Sequence, residues 1–84
     1  MTMADITLYE VPGCPFCIRV QRKLEELDLE YDVVEVPRSH AARTEVKELS
    51  GQTGVPVIDD EAQGVEGMYE SADIVAYLEE TYGN

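Results

Sequence analysis

Basic residues are scarce in this chain. Six lysines and arginines stand against eighteen aspartates and glutamates, a net charge of -12. Phosphate backbones are gripped by Lys and Arg, so this balance argues against nucleic acid as a partner. Lysine occurs only at Lys23 and Lys47. The acidity reads first as a halophile-like solvated surface whose self-repulsion salt would screen; a field that steers a basic partner is the sharper alternative. No run of about 18 apolar residues is present, so no membrane span is expected. The first five residues lack a basic segment and an apolar core, so no signal peptide is expected. A cytoplasmic location follows as an expectation. With 84 residues, one small domain over 1–84 is expected. There are no internal repeats.

Soft metal ligands are equally few: two cysteines and one histidine, His40. A closed zinc site needs four ligands, so no metal is expected. The cysteines instead stand three positions apart in Cys14-Pro15-Phe16-Cys17. A disulfide across so short a loop removes little unfolded-chain entropy and is better suited to redox exchange than to stapling a fold. In a cytosolic chain this spacing points to catalysis.

The surroundings of the motif sharpen this reading. Ile6-Thr7-Leu8-Tyr9-Glu10 reads as a strand and Val11-Pro12-Gly13 as a turn. Cys17, Val20, Leu24 and Leu27 then recur at helical spacing from Pro15 to about Leu27. Cys14 is thus expected at a helix N-terminus, where unpaired N–H groups and the helix dipole favour a thiolate. Pro15 suits the first turn because its missing N–H would have no partner there. Cys14 is the expected exposed nucleophile and Cys17 the more buried resolving thiol. Arg19, Arg22 and Lys23 would add positive potential.

Further along, Tyr31 to Val36 reads as a second strand, parallel to the first by the βαβ rule. Ser39 is the expected N-cap of a second helix with Ala42, Val46 and Leu49 on its inner side. Val55-Pro56-Val57-Ile58-Asp59 reads as a third strand and residues 59–64 as a solvated hairpin loop. Val65 to Tyr69 forms a fourth strand, antiparallel to the third. A last helix follows, with Ser71 as N-cap, Asp73 in its first turn, and Ile74, Val75, Leu78 and Tyr82 facing the core. The order is βαβαββα, an α/β fold. His40 reads as an ordinary surface histidine, and Tyr9 as a core or rim packing residue, with a hydrogen bond to a bound thiol as the lesser alternative.

Three features coincide in this order: Cys14-Pro15-Phe16-Cys17 after the first strand, Gly54-Val55-Pro56 opening the third, and Glu70-Ser71-Ala72-Asp73-Ile74 opening the last helix. Together they resemble the glutaredoxins, and also the thioredoxin-like N-terminal domain of glutathione transferases, over about Ile6 to Tyr82. The resemblance implies a four-stranded mixed sheet flanked by three helices. It implies a disulfide oxidoreductase in which Cys14 takes the glutathionyl group and Cys17 resolves it. Pro56 matches the family's cis-proline, and the Val55 main chain the segment that pairs with the cysteinyl part of glutathione. Ser71 matches the helix N-terminus that holds the γ-glutamyl carboxylate, and Glu70 and Asp73 the acids placed to meet the ammonium group. Phe16 stands where many glutaredoxins have tyrosine, Gly54 where threonine is usual, Ala72 where a first aspartate is usual, and Glu10 where a basic residue is frequent. The implied cofactor is glutathione or a related low-molecular-weight thiol. The implied partners are disulfide-containing or thiolated proteins, met by a monomer. A redoxin reduced directly by thioredoxin reductase, and a glutaredoxin that bridges an iron–sulfur cluster, are the alternatives.

Overall fold

The structure is a computed structural model and describes residues 5–83. Its elements are β1 (Ile6–Glu10), α1 (Pro15–Glu26), β2 (Tyr31–Glu35), α2 (Thr44–Ser50), β3 (Val57–Asp60), β4 (Val65–Tyr69) and α3 (Ser71–Tyr82). Single 3₁₀ turns lie at His40–Ala42 and Glu61–Gln63. The strands line up as β2-β1-β3-β4. β1 runs parallel to β2, with Ile6 opposite Tyr31, and antiparallel to β3, with Ile6 opposite Asp60. β4 pairs antiparallel with β3. This is the expected mixed, thioredoxin-like sheet.

Side chains alternate across a strand, so β1 feeds two cores. Ile6 and Leu8 cluster with Val20 and Leu24 of α1 and Ile74 and Leu78 of α3. Tyr9 and Val11 cluster with Val36, Val46 of α2 and Val57. The α1–α3 pair and α2 thus cover opposite faces. Each fully buried Leu, Ile or Val stabilises this arrangement by roughly 1.5–3 kcal/mol. Helix α1 ends at a left-handed Asp28, φ 57°. There Leu29 N–H reaches Leu24 O at 3.0 Å and Asp28 N–H reaches Glu25 O at 3.0 Å, a Schellman closure. Gly67 has φ 68°, and a Cβ there would collide with the Leu49 carbonyl, so glycine lets the end of α2 lie on β4.

Four sequence expectations need correction. The second helix does not begin at Ser39, whose side chain makes no capping bond; a 3₁₀ turn comes first. Ala42 is exposed and Arg43 is buried in its stead. Arg43 leaves helical dihedrals (φ -89°, ψ 56°), and its guanidinium donates to the carbonyls of Pro37, Arg38 and Thr53. The third strand starts at Val57 rather than Val55, because Pro56 has no N–H to give to a ladder. Asp60 is no solvated turn residue: it is fully buried and accepts the hydroxyls of Tyr77 and Tyr82. Finally, Ser71 is the first residue of α3, and Glu70, with φ 78°, holds the cap position without a side-chain bond.

Candidate active site

The turn between β1 and α1 presents the cysteines. Gly13 takes φ 82°, and Cys14 N–H closes the turn on Val11 O at 3.2 Å. Cys14 is the N-cap of α1, with extended dihedrals (φ -75°, ψ 120°), and Pro15 follows in the first turn. The Cys14 sulfur accepts the Cys17 backbone N–H at 3.4 Å. Both thiols are free; Cys14 is half-buried and Cys17 is 1% exposed. Burial, with the hydrogen bond to Cys14 next, pushes the Cys17 thiol well above its ordinary value, against a lowering contribution from Val11 N–H. The chain therefore presents one accessible sulfur backed by one sequestered sulfur.

Two cavities meet at this turn and share Phe16, Gly54 and Val55 as a common rim. The first, about 160 Å³, is completed by Gln52, Pro56, Tyr69, Glu70 and Ser71. The Val55–Pro56 peptide is cis. The N-terminus of α3, with its buried Ser71, opens here. The second, about 440 Å³, is lined by Cys14 itself with Pro12, Arg38, His40 and Arg43. Two of the chain's six lysines and arginines, and its one histidine, thus stand on one side of the nucleophile.

Of the residues singled out from sequence, Phe16, Val55, Pro56, Glu70 and Ser71 are gathered around one cavity. Asp73 is not among them; it is exposed and lines a shallow groove with Glu66 and Glu70. Cys17 lies inside, beneath Cys14. Phe16 is 59% exposed, a free apolar face beside the thiol. Tyr9 turns its hydroxyl to Asp59 at 3.3 Å, and burial followed by that carboxylate pushes it up to about 12. Lys23 is committed to Glu26 and Glu79.

Sequence reasoning missed Arg38, Arg43, Gln52 and Tyr69; His40, read as a surface histidine, is exposed and also lines the second cavity. Gln52 shapes the rim, accepting Gly54 N–H at 2.5 Å and donating to Gly54 O at 3.1 Å. His40 Nδ1 lies 3.0 Å from Thr53 Oγ1. The available signal was composition: in a chain with six lysines and arginines and one histidine, two arginines and that histidine fall between positions 38 and 43.

Glu10 completes the description. It ends β1, is 7% exposed, and accepts the side-chain amide of Gln21. Burial, then the facing Glu35, raise its carboxyl above the usual range.

Comparison with known proteins agrees with this geometry. The family described as "Glutathione S-transferase, N-terminal domain" matches residues 8–84. The Gene 56 protein of Mycobacterium phage D29 is 43% identical over 53 residues, covering 63% of this chain and 59% of that protein. Glutaredoxin 3 of Escherichia coli K12 is 31% identical over 65 residues, 77% of this chain and 78% of that protein. A crystal structure of a glutathione transferase homolog from Drosophila mojavensis, with bound glutathione, superposes with a TM-score of 0.83 at 27% identity. It covers 98% of this chain, which spans 37% of that longer protein. The chain belongs to the glutathione S-transferase N-terminal domain family, a thioredoxin-like family, and has glutaredoxins among its relatives.

Proposed function

We propose that the chain is a glutaredoxin-type thiol–disulfide oxidoreductase of the cytoplasm, acting as a monomer on disulfide-containing or thiolated proteins. The observation that carries this reading is the Cys14–Cys17 pair at the α1 N-terminus, one sulfur accessible and one buried, beside the Val55–Pro56 cavity. The Cys14 thiolate attacks one sulfur of a mixed disulfide and displaces the other as a thiolate. Cys17 then attacks the Cys14 sulfur, releases the bound thiol and leaves a Cys14–Cys17 disulfide. Two equivalents of a small thiol return both cysteines to the reduced state.

Glutathione or a related thiol suits the first cavity. The α3 N-terminus, with Ser71 in its first turn, supplies N–H groups and a dipole for a carboxylate. Glu70 supplies a counter-charge for an ammonium group, and Phe16 an apolar wall. Asp73 stands further off and is the weaker partner for the ammonium.

The test is reduction of a small mixed disulfide at low and molar salt, with glutathione, γ-glutamylcysteine or a thioredoxin reductase system as electron source. Turnover with a small thiol supports the reading and names the thiol. Turnover with the reductase alone contradicts the small-thiol part. No turnover with any of them, in folded protein, contradicts the oxidoreductase itself.

A further inference from the structure

Two loops meet beside the nucleophile, and His40 lies between them. Arg38, His40 and Arg43, from the segment after β2, line the second cavity. Thr53 leads into Gly54 and Val55, the rim that both cavities share. Thr53 is held twice. Arg43 Nη1 donates to its carbonyl at 2.8 Å, and His40 Nδ1 lies 3.0 Å from its hydroxyl oxygen. The third side of the triangle is the contact between Arg43 Nη1 and His40 Nε2, at 3.5 Å.

The partners decide where the imidazole carries its proton. A guanidinium has donors only and stays charged. The nitrogen that faces it, Nε2, is therefore the bare acceptor, and the proton sits on Nδ1, which donates to Thr53 Oγ1. An imidazolium has no acceptor left. A second proton would set Nε2–H against the Arg43 cation. Arg43 does not yield, because it is 6% exposed and three carbonyls hold it. His40 is exposed and is free to turn out to water. The groups around it are Arg38 after β2, Arg43 at the start of α2, Thr53 before β3 and Cys14 at the β1–α1 turn. Two of these are cations, and among the described residues no carboxylate lines the cavity.

We infer that neutral His40, with its proton on Nδ1, is a positioning residue that holds Thr53, and through it the Val55 main chain, in place for a small thiol, and that protonation of the ring releases this segment. The inference rests on the small-thiol reading of the cavity at Val55 and Pro56. Both ring nitrogens are engaged by Thr53 and Arg43, so the ring has none to offer a ligand. That sets it apart from a cationic histidine that grips a carboxylate. Acid would strengthen such a grip, whereas it undoes the triangle of His40, Arg43 and Thr53.

S-methylglutathione, a thioether that Cys14 cannot attack, separates binding from chemistry in titration calorimetry. Imidazole is the side chain whose charge ordinarily changes between about pH 5 and 8. Wild-type affinity should fall about tenfold on going from the upper to the lower part of that range, as one hydrogen-bonded tie is lost. His40→Ala should bind as weakly at neutral pH as the wild type does in acid, with a flat profile. In the protein without ligand, long-range proton–nitrogen spectra report the chain's one histidine alone. They should show the neutral ring with its proton on Nδ1. A proton on Nε2 overturns the inference. So does wild-type affinity that stays constant or rises toward acid, the latter marking direct contact between imidazolium and a ligand carboxylate. A His40→Ala profile that follows the wild type overturns it as well. Absence of binding at every pH by folded wild type, with the Nδ1 proton in place, overturns the small-thiol reading itself and the inference with it.

Discussion

The Arg43 guanidinium donates to the Thr53 carbonyl at 2.8 Å, and so ties the loop after β2 to the loop that leads into Val55 and Pro56. The same side chain donates to Pro37 O at 2.7 Å and Arg38 O at 2.9 Å. Three carbonyls from two loops are thus satisfied by one planar donor set, directly beside the cavity that contains Cys14. The arrangement breaks the expected helix and builds a wall of the site in the same act.

Removing this tie should weaken the fold and the site together. Hydrogen bonds from a charged donor contribute about 1.5–3 kcal/mol each, and the three are not additive. Arg43→Ala is expected to cost about 3 kcal/mol in denaturant unfolding. Arg43→Lys should recover little of it, because an ammonium cannot meet three carbonyls with the geometry of a guanidinium. Folded Arg43→Ala should also bind a small-thiol disulfide less tightly, seen as a raised KM.

Alkali should destabilise the reduced protein early. Burial raises both the Cys17 thiol and the Tyr9 hydroxyl, the latter to about 12. The folded chain then holds protons that the unfolded chain releases at about pH 8.5 and 10. Stability from these groups is fully present below those values and falls as pH rises through them toward 12. Chemical unfolding measured from pH 8 to 11 should show this decline. Cys17→Ser should flatten its lower part and Tyr9→Phe its upper part. An unchanged slope in both variants would refute the assignment.

Asp60 anchors the far end of the sheet. One carboxylate oxygen accepts Tyr77 at 2.7 Å and also Tyr82, while Oδ1 has no partner among the described residues. Tyr77→Phe is expected to cost about 2 kcal/mol, the value of a bond to a charged acceptor. A double-mutant cycle with Asp60→Asn should return a coupling of at least about 1 kcal/mol. A coupling near zero would mean that the two groups are independent.

Much of the fold was legible because its signals are periodic. Cys17, Val20 and Leu24 marked the inner face of α1, and all three are buried. Ile74 and Leu78 did the same for α3. Two of the misreadings, at Arg43 and Asp60, share a cause: polar side chains satisfied by distant partners. Arg43 is buried because carbonyls at positions 37, 38 and 53 converge on it. Asp60 is buried because two tyrosines from α3 reach it. Local pattern carries no record of such partners. At the site, the cysteine motif and Val55-Pro56 could be read directly. The Arg38–His40 wall is created by the 3₁₀ turn that Arg43 imposes and could not be.

The most direct test of the account compares Cys14→Ser and Cys17→Ser in two assays, removal of a small thiol from a mixed disulfide and reduction of a protein disulfide. The account predicts that Cys14→Ser loses both, whereas Cys17→Ser keeps the first and loses the second. Turnover by Cys14→Ser at the wild-type rate in either assay would contradict it.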